Sequence, residues 1–316
     1  MEIKPWAWKA KCYGTISLCM IMRNEERWLA RCLDSVMGLV DEIIIVDTGS
    51  TDNSVAIAER YGAVVLHDKW QDDFARPRNI GLKSATKNWI LIMDPDEVLA
   101  RKDHQRVREM TNARGIVAFQ MDTRNYTQNR YMQGFHPNRG DYEEGKGWPG
   151  YCPSLKGRFF KNGLGFHFRG RWHELVDYSV DPKKHKVAKA GVPIHHYAGE
   201  INQESMKVRQ EFYLKMGELK VKDNPDDGQA WWELGVAEGI CGYPHRAAKS
   251  IMKSMEKGFY TADRMFQLVN ALKKCKRDKE AALAFEKAIC KIYPSLTHCE
   301  ARLKKLDALI PHLDKK

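Results

Sequence analysis

Apolar runs and polar clusters alternate at a regular pace over the first hundred residues. Residues 16–22, ISLCMIM, form a continuous apolar run of strand length, and residues 43–46, IIIV, are β-branched, as in a parallel strand covered on both faces. Between them Leu29, Cys32, Leu33 and Val36 recur at helical spacing and predict a helix over 25–37. A second helix is expected from a cap at Ser50 or Thr51, through Val55, Ile57 and Ala58, to a stop at Gly62. A strand at 63–66, a helix near 76–86 and a strand at 89–93 follow. Strand and helix alternating in this way predict an α/β fold with a parallel sheet and right-handed crossovers.

Three of these strands end in polar and acidic residues. The first runs into Arg23-Asn24-Glu25-Glu26, the second into Asp47-Thr48-Gly49-Ser50-Thr51-Asp52, and the third into Asp94-Pro95-Asp96-Glu97. Ligands of open α/β sheets bind at the carboxyl ends of strands, so the three clusters are expected to line one crevice. Asp94 and Asp96, one residue apart, suit a divalent cation and, through it, a diphosphate. The pattern reads as an enzyme of sugar nucleotides.

Beyond residue 100 the rhythm breaks. Residues 115–121 read as a strand, followed by a stretch rich in Gly, Pro, Tyr and charge up to about Pro153. A connection of that length is a binding or lid segment. Short strands near 155–160, 165–169 and 192–197 are expected to complete the sheet. From about 202 the pattern is helical. Leu234 and Leu268, Ala247 and Ala281, and Ile251 and Phe285 are each 34 residues apart, and Trp231 and Gly235 fall at tetratricopeptide offsets beside them. The second unit keeps Ala288 and Pro294 but has Val269 where the small residue belongs. Two domains are therefore expected, 1–201 and 202–316. Two hairpins are few for a continuous core, so they should pack on the first domain or on a second copy, as a homodimer.

Composition narrows the class. With 43% hydrophobic and 29% charged residues among 316, the chain is globular. It has no apolar run long enough to span a membrane, and residues 1–9 lack the apolar core of a signal peptide. Eight scattered cysteines without a CxxC pair fit reduced thiols and a cytoplasmic location. The net charge of +11 divides as −3 over 1–100, +8 over 101–200 and +6 over 201–316, which favours an anionic partner for the later segments.

Four blocks, Ile16 to Glu26, Asp41 to Asp52, Asp72 to Asn79 and Trp89 to Glu97, closely resemble the family-2 glycosyltransferases, inverting enzymes of the GT-A fold. The resemblance is to the subgroup with tetratricopeptide repeats after the catalytic domain, and it implies residue roles. Asn24, Glu25 and Asp47 would frame the base and ribose, although Asn24 also reads as a helix cap and Asp47 as a turn residue with Gly49. Arg78, or Arg76, would contact the nucleotide at a helix start. Asp94 would approach the ribose and metal-bound water, and Asp96 would ligate Mn²⁺ or Mg²⁺. His196, preferred over His195, would complete the metal site. In Gly170-Arg171-Trp172-His173-Glu174, Glu174 would be the general base, with Asp177 as runner-up, or else a structural partner of Arg169 or Arg171. Arg158-Phe-Phe-Lys-Asn162 matches a basic-aromatic block preceding that motif.

The implied activity is metal-dependent, inverting transfer from a nucleotide sugar, a UDP-sugar, to an acceptor hydroxyl. Aromatic residues interleaved with Arg and Lys over 101–200 leave a glycan, a protein side chain or a modified DNA base as acceptor. A catalytically silent scaffold that binds a partner protein is the alternative. Nucleotidyl transfer is disfavoured, because residues 16–27 contain no glycine for a phosphate loop.

Overall fold

The computed structural model describes residues 13–132, 134–197, 203–258, 261–277, 281 and 284. The chain divides into two compact units, Met1–Ile201 and Asn202–Lys316.

In the first unit the parallel strands are those whose sequences are apolar without alternation: β1 (Ile16–Met22), β2 (Glu42–Asp47), β3 (Val64–His67) and β4 (Trp89–Ile92). Every residue of β1 and β4 is buried, as a strand covered on both faces requires. β5 (Glu97–Leu99), β6 (Ile116–Thr127), β7 (His136–Pro137), β8 (Gly150–Lys161) and β9 (Lys186–His196) extend this into one mixed sheet of order β3-β2-β1-β4-β8-β6-β9-β5, with β7 beside β8. β8 runs antiparallel to β4 and β6, and β9 runs parallel to β6 and antiparallel to β5.

Helices α1 (Leu29–Val36), α2 (Ser54–Arg60), α3 (Ala75–Ser84) and α4 (His104–Met110) pack on this sheet. Leu29, Cys32, Leu33 and Val36 from α1 join Ile16, Leu18, Met20, Leu91 and Phe159 in the main core. Each such side chain contributes about 1.5–3 kcal/mol of apolar burial.

Several expectations need correction. α1 starts four residues later than its periodicity suggests. Asn24 adopts φ +56°, and the amides of Glu25 and Glu26 donate to Ser54 Oγ and Asp52 Oδ2, so this segment is bound to the neighbouring loop instead of turning into helix. Neither Ser50 nor Thr51 caps α2. Asp52 accepts from the Ser54 amide at 2.9 Å, whereas the stop at Gly62 is as expected, at φ +73°. β6, β8 and β9 are long, which confines the connection to 128–149, where β7 and a 3-10 turn at Glu143–Gly145 are the regular elements among the described residues. Residues 165–169 are not a strand. The Asn79 amide group bonds both backbone groups of Phe168, and only the bridge Arg169–Leu175 remains.

The second unit contains α5 (Gln203–Asp223), α6 (Gly228–Ile240), α7 (Pro244–Glu256) and α8 (Ala262–Lys274). Trp231, Leu234 and Gly235 lie on α6, and Ala247 and Ile251 on α7. A Cβ at Gly235 would stand 2.7 Å from Ile251 Cγ1, so the glycine sets how closely the two helices pack. Leu268, Val269 and Ala281 are buried in the next layer. Phe285, Ala288 and Pro294 lie outside the described residues. No helix among the described residues is long and apolar enough to cross a membrane. Cys19, Cys32, Cys152, Cys241 and Cys275 are free thiols.

Candidate active site

The loops after β1 and β2 are fastened to each other. Asn24 Oδ1 accepts from the Thr51 amide at 2.7 Å, and the Asn24 amide donates to Ser50 Oγ. Asn24 therefore joins two loops and does not cap α1. Asp47 is buried at the end of β2, its oxygens accepting from the Gly49 and Ser50 amides. It does hold the turn, and each carboxylate oxygen keeps acceptor capacity beyond these bonds.

The segment after β4 crosses to β5, and its carboxylates part company. Asp96 meets His196, at the end of β9, with Oδ2 3.1 Å from Nε2. His196 Nδ1 lies 2.7 Å from Asn125 Oδ1; an amide oxygen only accepts, so Nδ1–H donates to it, and in the protonated ring Nε2–H donates to Asp96. Burial opposes the charge on His196, but the Asp96 bond and the nearby carboxylates raise its pKa above the ordinary value. His195 points elsewhere, fully buried on the Tyr126 hydroxyl, and burial holds its pKa down to about 3.

Asp94 faces two guanidinium groups. Arg78 Nη2 lies 2.7 Å from Oδ1, and Arg158 lies 3.5 Å from Oδ2. Among the described residues no group of three or more His, Cys, Asp or Glu is gathered as ligands for an ion; the arginines hold the Asp94 carboxylate, and Asp96 meets His196. Burial would raise the Asp94 pKa, but the arginines outweigh it and hold the carboxyl well below the usual range.

Arg78, near the start of α3, also bonds Glu174 Oε1 through Nε at 2.6 Å. The partner of Glu174 is thus Arg78 and neither Arg169 nor Arg171. Arg76 turns away to pair with Asp68 at 2.7 Å. Burial opposes the charge of Arg78, but Asp94 and Glu174 raise its pKa, and its Nη1 is buried with no hydrogen-bond partner. Asp177 serves the fold, accepting from the Gly157 amide at 2.9 Å and from Gln120 at 3.0 Å.

Beneath the site lies a pair that sequence reasoning missed. Glu97 is 1% exposed; it accepts from Arg158 Nη2 at 2.7 Å and, through Oε2, from the Asp94 amide at 2.8 Å. Burial raises the Glu97 pKa against the pull of Arg158. The signal was an arginine set in the apolar run Arg158-Phe159-Phe160, since an arginine is almost never fully buried unpaired. Asn125, which orients His196, gave no such sign.

Residues 17–168 match the family model of glycosyl transferase family 2. The chain carries a family 2 glycosyltransferase domain. A TPR repeat-containing protein of Synechococcus elongatus is 33% identical over 248 residues, covering 75% of this chain and 56% of that protein. An uncharacterized glycosyltransferase of Rickettsia felis is 39% identical over 87 residues, 28% of this chain and 30% of that protein. The chain thus spans about half the length of the first relative and less than a third of the second. Among solved structures, residues 1–349 of TarS from S. aureus superpose at a TM-score of 0.40 and 15% identity, over 92% of this chain and 88% of that one. The family 2 domain shows the expected architecture, a GT-A sheet with parallel strands β3-β2-β1-β4 continued by antiparallel β8; three of the sequence blocks run through β1, β2 and β4 into the segments after them, and the fourth covers the start of α3.

Proposed function

We propose that this chain moves a sugar from a nucleotide sugar, a UDP-sugar, to an acceptor hydroxyl with inversion at the anomeric carbon. The observation that carries this reading is the meeting of Asp96 and His196, 100 residues apart in sequence, beyond the end of β4 and at the end of β9. A carboxylate oxygen and an imidazole Nε2, its tautomer fixed by Asn125, fit a divalent ion such as Mn²⁺ or Mg²⁺. Such an ion supplies charge neutralisation for the departing nucleoside diphosphate.

The protein groups do the rest. The fastened loops of Asn24, Glu25 and Asp47 shape the seat for base and ribose. Arg78 holds Glu174 through Oε1 and keeps its charged form oriented, while Oε2 takes the proton of the acceptor hydroxyl. The hydroxyl oxygen then attacks the anomeric carbon from the face opposite the leaving group, and a single displacement inverts configuration. Asp177 is the weaker candidate for base, because both its oxygens serve the fold. The +8 balance over 101–200 supports an anionic acceptor.

The test is UDP release from a panel of UDP-sugars by the purified chain with Mn²⁺, and the anomeric configuration of the product by NMR. Metal-dependent release and an inverted product are expected. Full activity in excess chelator, or a retained configuration, would refute the proposal, and failure to bind any UDP-sugar would favour the scaffold.

A further inference from the structure

Lys156 is a cation placed beside the charged cluster, and among the described residues it has no hydrogen-bond or ion-pair partner. β8 runs antiparallel to β4 with Leu91 opposite Phe159, so residues of β8 before 159 extend past the carboxyl end of β4, alongside Asp94. Arg158 uses this placement to reach Glu97 and Asp94. Two residues further along the strand, Lys156 is half-buried, in the field of Arg158, Asp94, Glu97 and Arg78. It makes no hydrogen bond or ion pair with any described residue.

The cluster does not use this ammonium for pairing. Arg78 satisfies Asp94 and Glu174, and Arg158 satisfies Glu97. Burial, with the two guanidinium groups, lowers the Lys156 pKa against the pull of the carboxylates. An ammonium partly withdrawn from water without a hydrogen-bond acceptor is destabilising, the carboxylates of the cluster offset part of that cost, and a bound anion would offset more.

We propose that Lys156 is the phosphate-receiving residue of this cleft, its ammonium donating to an anionic phosphate oxygen of a bound substrate. The phosphate belongs either to the donor diphosphate or to a phosphorylated acceptor, and a compact three-donor cation suits both. The proposal deepens the glycosyl-transfer reading and rests on it for the identity of the cleft.

The test compares the full-length chain with Lys156→Met, Lys156→Gln and Lys156→Arg. Affinities for UDP and uridine are measured by calorimetry with Mn²⁺, affinity for inorganic phosphate with and without saturating UDP, and Tm alongside. Lys156→Met is expected to fold and to lose a charge-assisted hydrogen bond, about tenfold or more in affinity. Loss toward UDP with uridine unchanged assigns the donor diphosphate. Loss toward inorganic phosphate on the UDP-loaded protein, with UDP unchanged, assigns the acceptor. Lys156→Arg should recover most of the affinity. Unchanged affinities for both would overturn the proposal. So would variants in which Met and Gln alike fail to fold, since the ammonium would then serve the cluster. If the wild type binds neither UDP nor uridine, the glycosyl-transfer reading falls, while phosphate titration of the nucleotide-free protein still decides the role of Lys156.

Discussion

Replacing Arg78 with methionine keeps much of the side-chain volume and removes the charge that joins Asp94 to Glu174. Arg78 and Glu174 are 10% and 11% exposed and 2.6 Å apart, so Glu174 would be left as a nearly buried carboxylate without its ion-pair partner. Breaking such a pair from one side costs about 3–5 kcal/mol. Asp94 keeps Arg158 at 3.5 Å and is 28% exposed, so its share is discounted and the lower end, about 3 kcal/mol, is expected. For a unit of this size, about 2–4 °C per kcal/mol gives a fall in Tm of about 6–12 °C at pH 7.

The pH dependence supplies a second reading of the same network. In the wild type the arginines overcome burial and hold the Asp94 pKa well below its unfolded value. The resulting stability is present above about pH 4 and is lost as pH falls through the lowered folded value. Without Arg78 that shift is smaller, and the Asp94 carboxylate accepts a proton more readily. Circular dichroism melts of wild type and Arg78→Met should therefore converge as pH falls from 7 toward 3. Equal Tm values at pH 7, or a gap that widens on acidification, would refute the network as described. Adding Glu174→Met to Arg78→Met should recover part of the loss by removing the stranded charge.

Asp96→Asn should lower turnover about a hundredfold or more in a UDP-release assay while leaving Tm near the wild-type value, since Asp96 is 24% exposed; wild-type turnover would remove it from metal binding. Glu174→Gln should retain UDP-sugar affinity within a few-fold while turnover collapses. If Asp177→Asn, shown to be folded, loses turnover instead, the base is Asp177. Gly235→Val should cost about 1–3 kcal/mol in the helical unit, because its Cβ would stand 2.7 Å from Ile251 Cγ1, and an unchanged melt would mean that α6 and α7 do not pack this closely.

How much of this could be read in the sequence followed from the range of each interaction. The parallel half of the sheet was legible because burial on both faces turns β1, β2 and β4 into unbroken apolar runs, and such runs need no knowledge of their neighbours. β6, β8 and β9 mix buried and exposed positions, and their register shifts at Phe119/Gln120 and near Ile116 blur the alternation. They therefore read as fragments within a long loop. Start signals misled where a side chain had a distant use. Asn24 and Ser50 look like caps, yet they join two loops 26 residues apart in sequence.

The site divides along the same line. Asp94 and Asp96 are visible as a motif, but the motif suggests that they act together, and the structure separates them through partners 100, 64 and 16 residues away: His196 for Asp96, Arg158 and Arg78 for Asp94. Asp94, beside two guanidinium groups, has its charge already answered and orients the arginines, and Asp96 and His196, which meet each other, are the residues proposed for the ion. The proposed division of labour follows from that balance. Glu97, Arg158, Asp94, Arg78 and Glu174 form, in that order, one continuous chain of ion pairs from the floor of the sheet to the proposed base, so a change at any link should move both the orientation of Glu174 and the stability of the domain. Asp96 and His196 form a separate pair, where a change should be felt in metal-dependent turnover and hardly in the melt.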